Sequence, residues 1–386
     1  MHNELRDFIN AKTLVDEKSK ALTYGDGPTG SKPLKQALCS FFNAYFHPVK
    51  QVKPDHVFVT NGVTSIIEHA AWAFADPGEG ILLGRPYYRS FLHDIQMRNG
   101  VKVVPVSFGD VDPCGVNCVA AYEEALLASN EAGVKVRALA LCHPHNPLGR
   151  CYSKDTIVAL MRLCEKYSLH LISDEIYALS VWNNSVDDLD EAPPPFRSVL
   201  SIDTQGVIDP ARVHVLWGTS KDFGANGIRL GVLVSQDNEA LIKACGTGSL
   251  FSSASSLVEN AITEFLLDRD FLSSFVQKNK ERLSAAYAFA VGRLQEQGIE
   301  HQKGVHAAFF LWVDLGKKYK ELHPEAQGVD DGKITEMILQ KVMDRKVYIV
   351  SGDAAGAEKP GWFRIVFSQP EYLVEEGIKR IAEALS

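Results

Sequence analysis

Residues 213–231 read VHVLWGTSKDFGANGIRLG. The mostly apolar run 213–217 predicts a buried strand, which Gly218 ends, so that Lys221 lies just past a strand end. Open α/β sheets bind their ligands at such strand ends. A lysine there, with Arg229 eight residues further on, suits a Schiff base to a phosphorylated aldehyde. The alternative is a solvated loop lysine, and the rest of the chain decides between the two.

Strands and helices alternate along much of the chain. Apolar runs predict further strands at 56–60, 80–83, 101–106, 138–142 and 169–173. Helical spacing over 64–74 and 155–167 separates some of these strands. Strands joined by helices imply right-handed crossovers, which set the strands parallel to one another. We therefore predict an α/β fold with a mainly parallel sheet.

The length and composition are typical of a soluble protein with two domains. The chain has 386 residues, more than a single core usually supports. Its content of 46% hydrophobic and 23% charged residues is that of an ordinary globular protein. Continuous helical spacing over 252–297 predicts a long helical stretch that bridges the two domains. Ser252 or Ser253 is expected to cap its start.

Charge and cysteine content exclude several classes of function. The formal net charge of −8 argues against a general affinity for nucleic acid or an anionic membrane. Seven cysteines without paired spacing favour a reducing compartment. Cys114 and Cys118 raise the alternative of a metal or redox pair, but no companion cluster of ligands follows. No apolar stretch reaches transmembrane length and the N-terminus shows no apolar signal region, so the expected location is the cytoplasm.

Two motifs point to other ligands and are set aside. The turn Gly25–Gly30 matches the dinucleotide fingerprint G-x-G-x-x-G. That fingerprint requires a buried strand before it, whereas the preceding segment is short and polar and Pro28 interrupts the turn. His143 and His145 suggest a metal site, but no carboxylate or third histidine is close to them in sequence.

Asp174 and Asn146 follow predicted strands and carry groups that suit a charged ligand. A buried carboxylate at Asp174 needs a cation, which is either a local lysine or arginine or a protonated pyridine nitrogen. Asn146 precedes Pro147, so its backbone is expected to be extended and its amide to have a fixed direction. A rigid Asn-Pro loop that holds one hydrogen-bond donor is the better interpretation of this motif.

The turn Thr60–Ser65 and Arg364 add two possible anion sites. The turn joins a predicted strand to a helix, and free amides beside Gly62 at a helix N-terminus attract anions, although many such turns look alike. Arg364 lies in the apolar strand 362–367, where alternation places it on one face. Its guanidinium is expected to bind either the carboxylate of a ligand or an internal Asp or Glu.

Taken in order along the chain, these motifs resemble the pyridoxal-phosphate (PLP) enzymes of fold type I. Among them the chain is similar to the class I/II aminotransferases, most closely to the 1-aminocyclopropane-1-carboxylate synthase-like branch. The resemblance extends from Asn3 to the C-terminus. The motifs that carry it are Gly62-Val-Thr64, Pro86-Tyr87-Tyr88, Asn146-Pro-Leu-Gly149, Asp174-Glu-Ile-Tyr177, Ser220-Lys221 with Arg229, and Gly361-Trp-Phe-Arg364.

The resemblance implies a large domain with a mainly parallel seven-stranded sheet sandwiched by helices, and a smaller α+β domain built from both chain ends. Residues 1–30 would form the N-terminal part of the small domain and a dimer arm. Residues 31–255 would form the large cofactor-binding domain and residues 256–386 the rest of the small domain. It further implies a homodimer in which Tyr24 reaches the cofactor phosphate of the partner subunit.

The resemblance also implies PLP as the cofactor and a role for each matching residue. Lys221 would bind the cofactor aldehyde covalently and move a proton between the substrate Cα and the cofactor C4′. Asp174 would keep the pyridine nitrogen protonated. Tyr177 and Asn146 would hydrogen-bond the ring oxygen and keep the pKa of the Schiff base low, and Tyr87 would stack on the ring face.

The remaining assignments concern two anions, the cofactor phosphate and the substrate carboxylate. Val63, Thr64, Ser220 and Arg229 would surround the phosphate. Arg364 would bind the α-carboxylate of an amino-acid substrate, near Asn146.

Two features depart from the family pattern. Gly218 stands where members often have a serine that contacts the phosphate, so this contact is expected to be missing or to shift to Thr219. The chain also begins where relatives already have a few dozen residues, which form an arm over the substrate mouth and the partner subunit. Two interpretations stay open: the assigned start codon is misplaced, or the arm is shorter, with a weaker dimer and altered substrate access.

Transamination of an amino acid to a keto acid is the reaction we expect first, because it is the commonest in the family. A β- or γ-elimination, as in carbon–sulfur lyases of secondary metabolism, is the alternative within the branch. A catalytically silent homologue with a binding role is the alternative of another class, which the intact Lys221 and Asp174 argue against. A nicotinamide-linked oxidoreductase would depend only on the glycine motif set aside above.

Overall fold

The computed structural model describes residues 1–12, 20–189 and 191–386. Part of the predicted segment 1–30, residues 13–19, therefore lies outside the described residues. The strands are β1 Val57–Thr60, β2 Gly80–Gly84, β3 Lys102–Val106, β4 Val136–Cys142, β5 His170–Asp174, β6 Val213–Gly218, β7 Gly231–Val234, β8 Glu300–His301, β9 Phe310–Asp314, β10 Val350–Ser351 and β11 Trp362–Val366.

Helices precede, separate and follow these strands. They are α1 His2–Lys12, α2 Lys32–Tyr45, α3 Val63–Phe74, α4 Ser90–Gln96, α5 Cys118–Glu131, α6 Lys154–Tyr167, α7 Thr219–Asp222, α8 Glu239–Gly248, α9 Ser256–Leu267, α10 Arg269–Glu296, α11 Leu315–Leu322, α12 Asp331–Asp344 and α13 Glu371–Leu385. None of the helices in the described ranges has the length and apolarity that a membrane span needs.

The first seven strands form one sheet in the order β1-β7-β6-β5-β4-β2-β3. Strands β2 to β6 run parallel to one another, and β7 runs antiparallel to both β6 and β1. The prediction of a mainly parallel seven-stranded sheet is confirmed. The short strand β7 is not separated from β6 by a long helix, so the strand–helix alternation in the sequence does not reveal it.

Strands β8 to β11 form a second, antiparallel sheet in the order β10-β11-β9-β8. Buried side chains of α10, α12 and α13 pack with this sheet in a separate hydrophobic cluster. The large sheet has a cluster on each face. Leu5 and Phe8 of α1 belong to one of these, together with Phe265 of α9 and Phe275 of α10. The predicted domain boundaries at 30/31 and 255/256 stay predictions.

The predicted long helix over 252–297 is wrong in detail. Two helices, α9 and α10, occupy this stretch, and they are separated at Asp268. The Asp268 carboxylate accepts a hydrogen bond from the Phe271 amide and so caps α10. The N-cap residue of α9 is Ser255 and not Ser252 or Ser253. A capping aspartate can end one helix and begin the next without interrupting the apolar periodicity.

Strand register brings the carboxyl ends of β4, β5 and β6 to one edge of the large sheet. Cys142 of β4 pairs with Asp174 of β5, which in turn pairs with Leu216 of β6. The segments that leave these strands therefore emerge side by side. One of them carries Asn146, the next Tyr177 and the third Lys221. This edge is where a parallel sheet presents its ligand site.

Candidate active site

A cavity lies at this edge of the large sheet and collects most of the residues that the sequence singled out. Its lining includes Val63, Thr64, Asn146, Asp174, Tyr177, Ser220, Lys221 and Arg229. These residues come from four separate parts of the chain. The cavity therefore joins the strand-end segments to the turn between β1 and α3.

Asp174 is the buried acid of the cavity. Its side chain ends β5, and its Oδ1 accepts a hydrogen bond of 3.2 Å from the Ile176 amide. Burial raises the pKa of Asp174 to about 7, although that amide and the charge of Lys221 act in the opposite direction. Within the described ranges, no lysine or arginine forms an ion pair with it. The local partner considered above is therefore not found among these residues, and the acid is left facing the cavity.

Lys221 lies on the short helix α7, directly past β6. Burial is the main cause that lowers the pKa of its amine, and the positive charge of Arg364 acts in the same direction. Its Nζ lies 6.0 Å from the centre of the Phe309 ring. A lysine with a lowered pKa holds more of its amine in the neutral form, which is the form that attacks a carbonyl carbon.

Asn146 links two other groups of the site. Its Nδ2 donates to the Tyr177 hydroxyl at 3.5 Å, and its Oδ1 accepts from Nη1 of Arg364 at 3.0 Å. Asn146 and Tyr177 are both buried, each with 2% of its surface exposed. The phenol and the guanidinium, which are 187 positions apart in sequence, thus meet on one amide.

Arg364 reaches the site from β11 of the small sheet. Its guanidinium carbon lies 4.6 Å from the centre of the Phe310 ring, in cation–π contact. Its Nε is buried and has no hydrogen-bond partner among the described residues. No Asp or Glu of the described ranges forms an ion pair with it. A buried donor without an acceptor is costly, so this group is suited to bind the carboxylate of a ligand.

The turn between β1 and α3 brings the N-terminus of a helix to the cavity. Gly62 has φ +129°, and a Cβ added there would lie 2.2 Å from Nη2 of Arg229. The Arg229 guanidinium therefore lies directly against the start of α3. Arg229 has φ 56°, in the left-handed region, and its Nη1 donates to the Asn226 carbonyl at 3.0 Å. A helix N-terminus beside a guanidinium is a suitable place for a phosphate.

The absence of a side chain at Gly218 has a structural cause in this chain. A Cβ added there would lie 2.7 Å from the Leu230 carbonyl oxygen and 3.0 Å from Cγ2 of Val63. Thr219, to which the missing contact was expected to shift, is fully buried and has a hydroxyl without a partner among the described residues. Ser220 lines the cavity and Thr219 does not.

The two tyrosines of the Pro86-Tyr87-Tyr88 motif have different surroundings. The Tyr87 amide donates to the Ala355 carbonyl at 2.7 Å. A Cβ added to Gly356 would lie 2.4 Å from Cζ of Tyr87, so the Tyr87 ring packs against that glycine. Tyr88 lines the cavity, whereas Tyr87 is absent from its lining. The assignment of Tyr87 to the ring face stays a prediction.

Sequence reasoning missed Asp94 of α4 altogether. It lines the cavity, and burial raises the pKa of its carboxyl to about 6. Its Oδ2 has no hydrogen-bond partner among the described residues. No motif marks Asp94, because a single acid on a short helix is an ordinary surface pattern. Tyr24, which was expected to serve the partner subunit, is 98% exposed in the single chain.

The histidine and cysteine motifs that suggested a metal site lie in buried, structural positions. Both ring nitrogens of His143 are hydrogen-bonded to backbone groups, those of Arg197 and Tyr152. Cys114 and Cys118 are buried, and burial raises the pKa of each thiol to about 12. Across residues 1–12, 20–189 and 191–386, no group of three or more histidine, cysteine or acidic side chains could hold a metal ion.

Comparison with known proteins gives consistent matches along nearly the whole chain. The family model described as aminotransferase class I and II matches residues 2–381. The chain is 31% identical to the probable aminotransferase sirI of Leptosphaeria maculans, over 100% of this chain and 88% of that protein. It is 32% identical to the 1-aminocyclopropane-1-carboxylate synthase-like protein 1 of Mus musculus, over 91% of this chain and 67% of that protein.

Solved structures show the same fold. The aspartate aminotransferase of Thermus thermophilus with maleate superposes with a TM-score of 0.76 at 20% identity, covering 99% of this chain and 88% of that one. The aromatic aminotransferase of Pyrococcus horikoshii superposes with a TM-score of 0.70 at 20% identity, covering 100% of this chain and 90% of that one.

Proposed function

The chain belongs to the aminotransferase class I and II family, and on that premise we propose that it binds PLP and transfers the α-amino group of an amino acid to a keto acid. The observation that carries the proposal is that Asp174 and Lys221 line the same cavity. A buried acid without a cation and a buried amine with a lowered pKa are the two groups that PLP requires.

The residues of the cavity fit the cofactor. Asp174 would hold a proton on the pyridine nitrogen, and that pyridinium would be the cation that its carboxylate lacks. Arg229 and the start of α3, with Val63, Thr64 and Ser220, would hold the phosphate. Tyr177 and Asn146 would hydrogen-bond the ring oxygen. We assign the ring face to Tyr88, which lines the cavity, in place of Tyr87.

The substrate would be held by Arg364 and deprotonated by Lys221. Arg364 presents Nε without a partner, and an α-carboxylate would supply the acceptor. When bound, PLP would withdraw electrons from the substrate Cα. The neutral amine of Lys221 would then take the proton from Cα, because burial keeps its pKa below the usual value. Asn146 would hold Arg364 and the phenol of Tyr177 in register during this transfer.

We further propose a cytoplasmic homodimer. Tyr24 would reach the phosphate of the partner's site, since its side chain makes little contact with its own subunit. Family members typically act as dimers on amino acids, which supports the proposal. Sedimentation velocity should show a dimer for both wild type and Tyr24→Phe. PLP titrations should show weaker binding only in Tyr24→Phe. A monomeric wild type with full PLP affinity would contradict this assignment.

Elimination is the second candidate reaction, and the similarity to a 1-aminocyclopropane-1-carboxylate synthase-like protein favours it, since that branch includes eliminating enzymes. Such a reaction would use the same lysine and the same acid. The difference would lie in a leaving group on the substrate, which is expelled after Cα loses its proton.

A panel of amino acids with product mass spectrometry tests the proposal. PLP-loaded protein should convert at least one amino acid to its keto acid, and more than one equivalent per site only when an acceptor keto acid is present. Release of ammonia, pyruvate or thiol without an acceptor would identify an eliminating enzyme instead. Protein that gains no visible absorbance with added PLP would overturn the proposal and favour a binding role. Lys221→Ala should abolish the conversion. Lys243→Ala, which removes an exposed lysine, is the matched control and should keep it.

A further inference from the structure

Asp222 follows Lys221 on α7 and is buried, with 2% of its surface exposed. Its carboxylate accepts three hydrogen bonds. Oδ2 accepts from Nε1 of Trp217 at 2.9 Å and from the Leu179 amide at 3.1 Å. Oδ1 accepts from the Ser180 hydroxyl at 2.7 Å. The Asp222 side chain does not line the cavity.

The three donors belong to two different segments of the site. Trp217 is near the end of β6, the strand that leads to Lys221. Leu179 and Ser180 follow Tyr177, and the Ser180 amide donates to the Tyr177 carbonyl at 3.0 Å. One carboxylate therefore ties the segment that carries the amine to the segment that carries the phenol. The Asp222 carbonyl also accepts a hydrogen bond of 3.4 Å from Asn279 of α10.

We propose that Asp222 is a positioning residue that sets the placement of the Lys221 amine relative to the Tyr177 phenol. The inference rests on the proposed function, because the placement matters only if both groups act on one bound cofactor. A carboxylate suits this position because its two oxygens accept all three hydrogen bonds. An apolar residue would leave the Trp217 and Leu179 N–H groups buried without acceptors.

Asparagine is the one conservative replacement that the geometry accommodates. Its amide oxygen can take the place of Oδ2 and accept from Trp217 and Leu179. Its NH2 group then faces the Ser180 hydroxyl, which can turn and accept a hydrogen bond. Asp222→Asn is therefore expected to keep the placement, whereas Asp222→Ala is expected to lose it.

The test is the pH titration of the visible absorbance that PLP acquires when it is joined to Lys221. A phenol that donates to the ring oxygen favours the deprotonated form of the link and lowers its pKa. Tyr177→Phe should therefore raise the midpoint, by about one pH unit. Asp222→Ala should raise it in the same direction, and Asp222→Asn should leave it near that of wild type.

A double-mutant cycle separates positioning from a general structural effect. In the Tyr177→Phe background, Asp222→Ala should add no further shift, because the phenol that it positions is already gone. Additive shifts would overturn the inference. The matched control is Asp187→Ala, which removes a carboxylate with 3% side-chain exposure that accepts from Asn184, Tyr287 and the Gly304 amide. This variant should lose stability and keep the wild-type midpoint.

If wild type takes up no PLP, the proposed function fails. If Asp222→Ala takes up PLP and keeps the wild-type midpoint, the inference alone fails. If Asp222→Ala does not fold, Ser180→Ala decides, since it removes only the bond to Oδ1 and should raise the midpoint less than Tyr177→Phe does. An unshifted Ser180→Ala would then overturn the inference.

Discussion

Arg364 has one nitrogen that is hydrogen-bonded and another that is buried without a partner among the described residues. The first is Nη1, which donates to Asn146, and the second is Nε. A charged hydrogen bond to a substrate carboxylate is worth about 1.5–3 kcal/mol. We expect Arg364→Ala to raise the KM for the amino acid at least about tenfold, since 1.4 kcal/mol corresponds to a factor of ten.

Steady-state kinetics on the amino acid, with the absorbance of bound PLP recorded in parallel, checks this prediction. The absorbance should persist in Arg364→Ala, because the guanidinium is proposed to bind the substrate carboxylate and not the phosphate. Arg293→Ala is the control, since Arg293 forms ion pairs with Glu296 and Glu375 away from the cavity. An unchanged KM in Arg364→Ala would remove the assigned role.

At the scale of elements, the turn between β1 and α3 depends on a glycine. Gly62→Ala would place a methyl group 2.2 Å from Nη2 of Arg229, at a backbone φ of +129° that alanine rarely adopts. The guanidinium would have to move away from the start of α3. We expect PLP to bind roughly tenfold to a hundredfold more weakly, as a charged hydrogen bond is lost.

Pyridoxal, which lacks the phosphate, distinguishes this effect from general strain. Equilibrium titrations should show weaker PLP binding in Gly62→Ala and nearly unchanged pyridoxal binding. Gly78→Ala is the matched control, because Gly78 has φ +91° and nothing within 4 Å of an added Cβ. Equal losses of PLP and pyridoxal binding would contradict an anion site at this turn.

The segment between β4 and α6 contains a histidine that is held in its neutral form. The Nε2–H of His143 donates to the Arg197 carbonyl at 3.0 Å, and Nδ1 accepts from the Tyr152 amide at 3.3 Å. Burial lowers the pKa of His143 to about 4 from its usual 6.5. The stabilisation that neutral His143 gives is therefore complete above pH 6.5 and is lost as the pH falls towards 4.

We expect this single residue to account for about 2–3 kcal/mol of lost stability between pH 7.5 and pH 4.5. Urea unfolding of wild type and His143→Asn at both pH values measures it. Asparagine keeps an acceptor for the Tyr152 amide and does not titrate, so the variant should lose less stability on acidification. Other buried groups titrate equally in both proteins and cancel in the difference. Parallel losses in the two proteins would contradict the prediction.

At the scale of the whole molecule, the cavity joins separate parts of the chain. The turn before α3, three strand ends of the large sheet and β11 of the small sheet all contribute to it or contact it. A cofactor that binds only the folded chain stabilises it by mass action. PLP at a hundred times its Kd should raise the free energy of unfolding by about 2.7 kcal/mol.

Thermal or urea unfolding with and without PLP measures this gain. Arg229→Ala should reduce the gain at the same PLP concentration, because its weaker phosphate binding raises the Kd. Pyridoxal should stabilise wild type and Arg229→Ala to a similar extent. An equal gain from PLP in both proteins would show that Arg229 does not bind the phosphate.

The pattern of apolar runs was sufficient to predict the parallel sheet and the positions of the strand ends. Asp174 and Lys221 were predicted in this way, because a polar residue at the end of a buried parallel strand lies at the carboxyl edge of the sheet. The apolar pattern did not predict the break between α9 and α10 at Asp268 or the strand β7. In both cases the local sequence fits more than one structure, and packing against the rest of the chain selects between them.

The sequence by itself determined which chemical groups are available and at which edge of the large sheet most of them lie. Only the tertiary structure decided which side chains share the cavity. That Tyr88 lines the cavity and Tyr87 does not depends on how Tyr87 packs against Gly356. The presence of Asp94 depends on which side of α4 faces inward. Contacts between residues distant in sequence set both, and neither composition nor periodicity records such contacts.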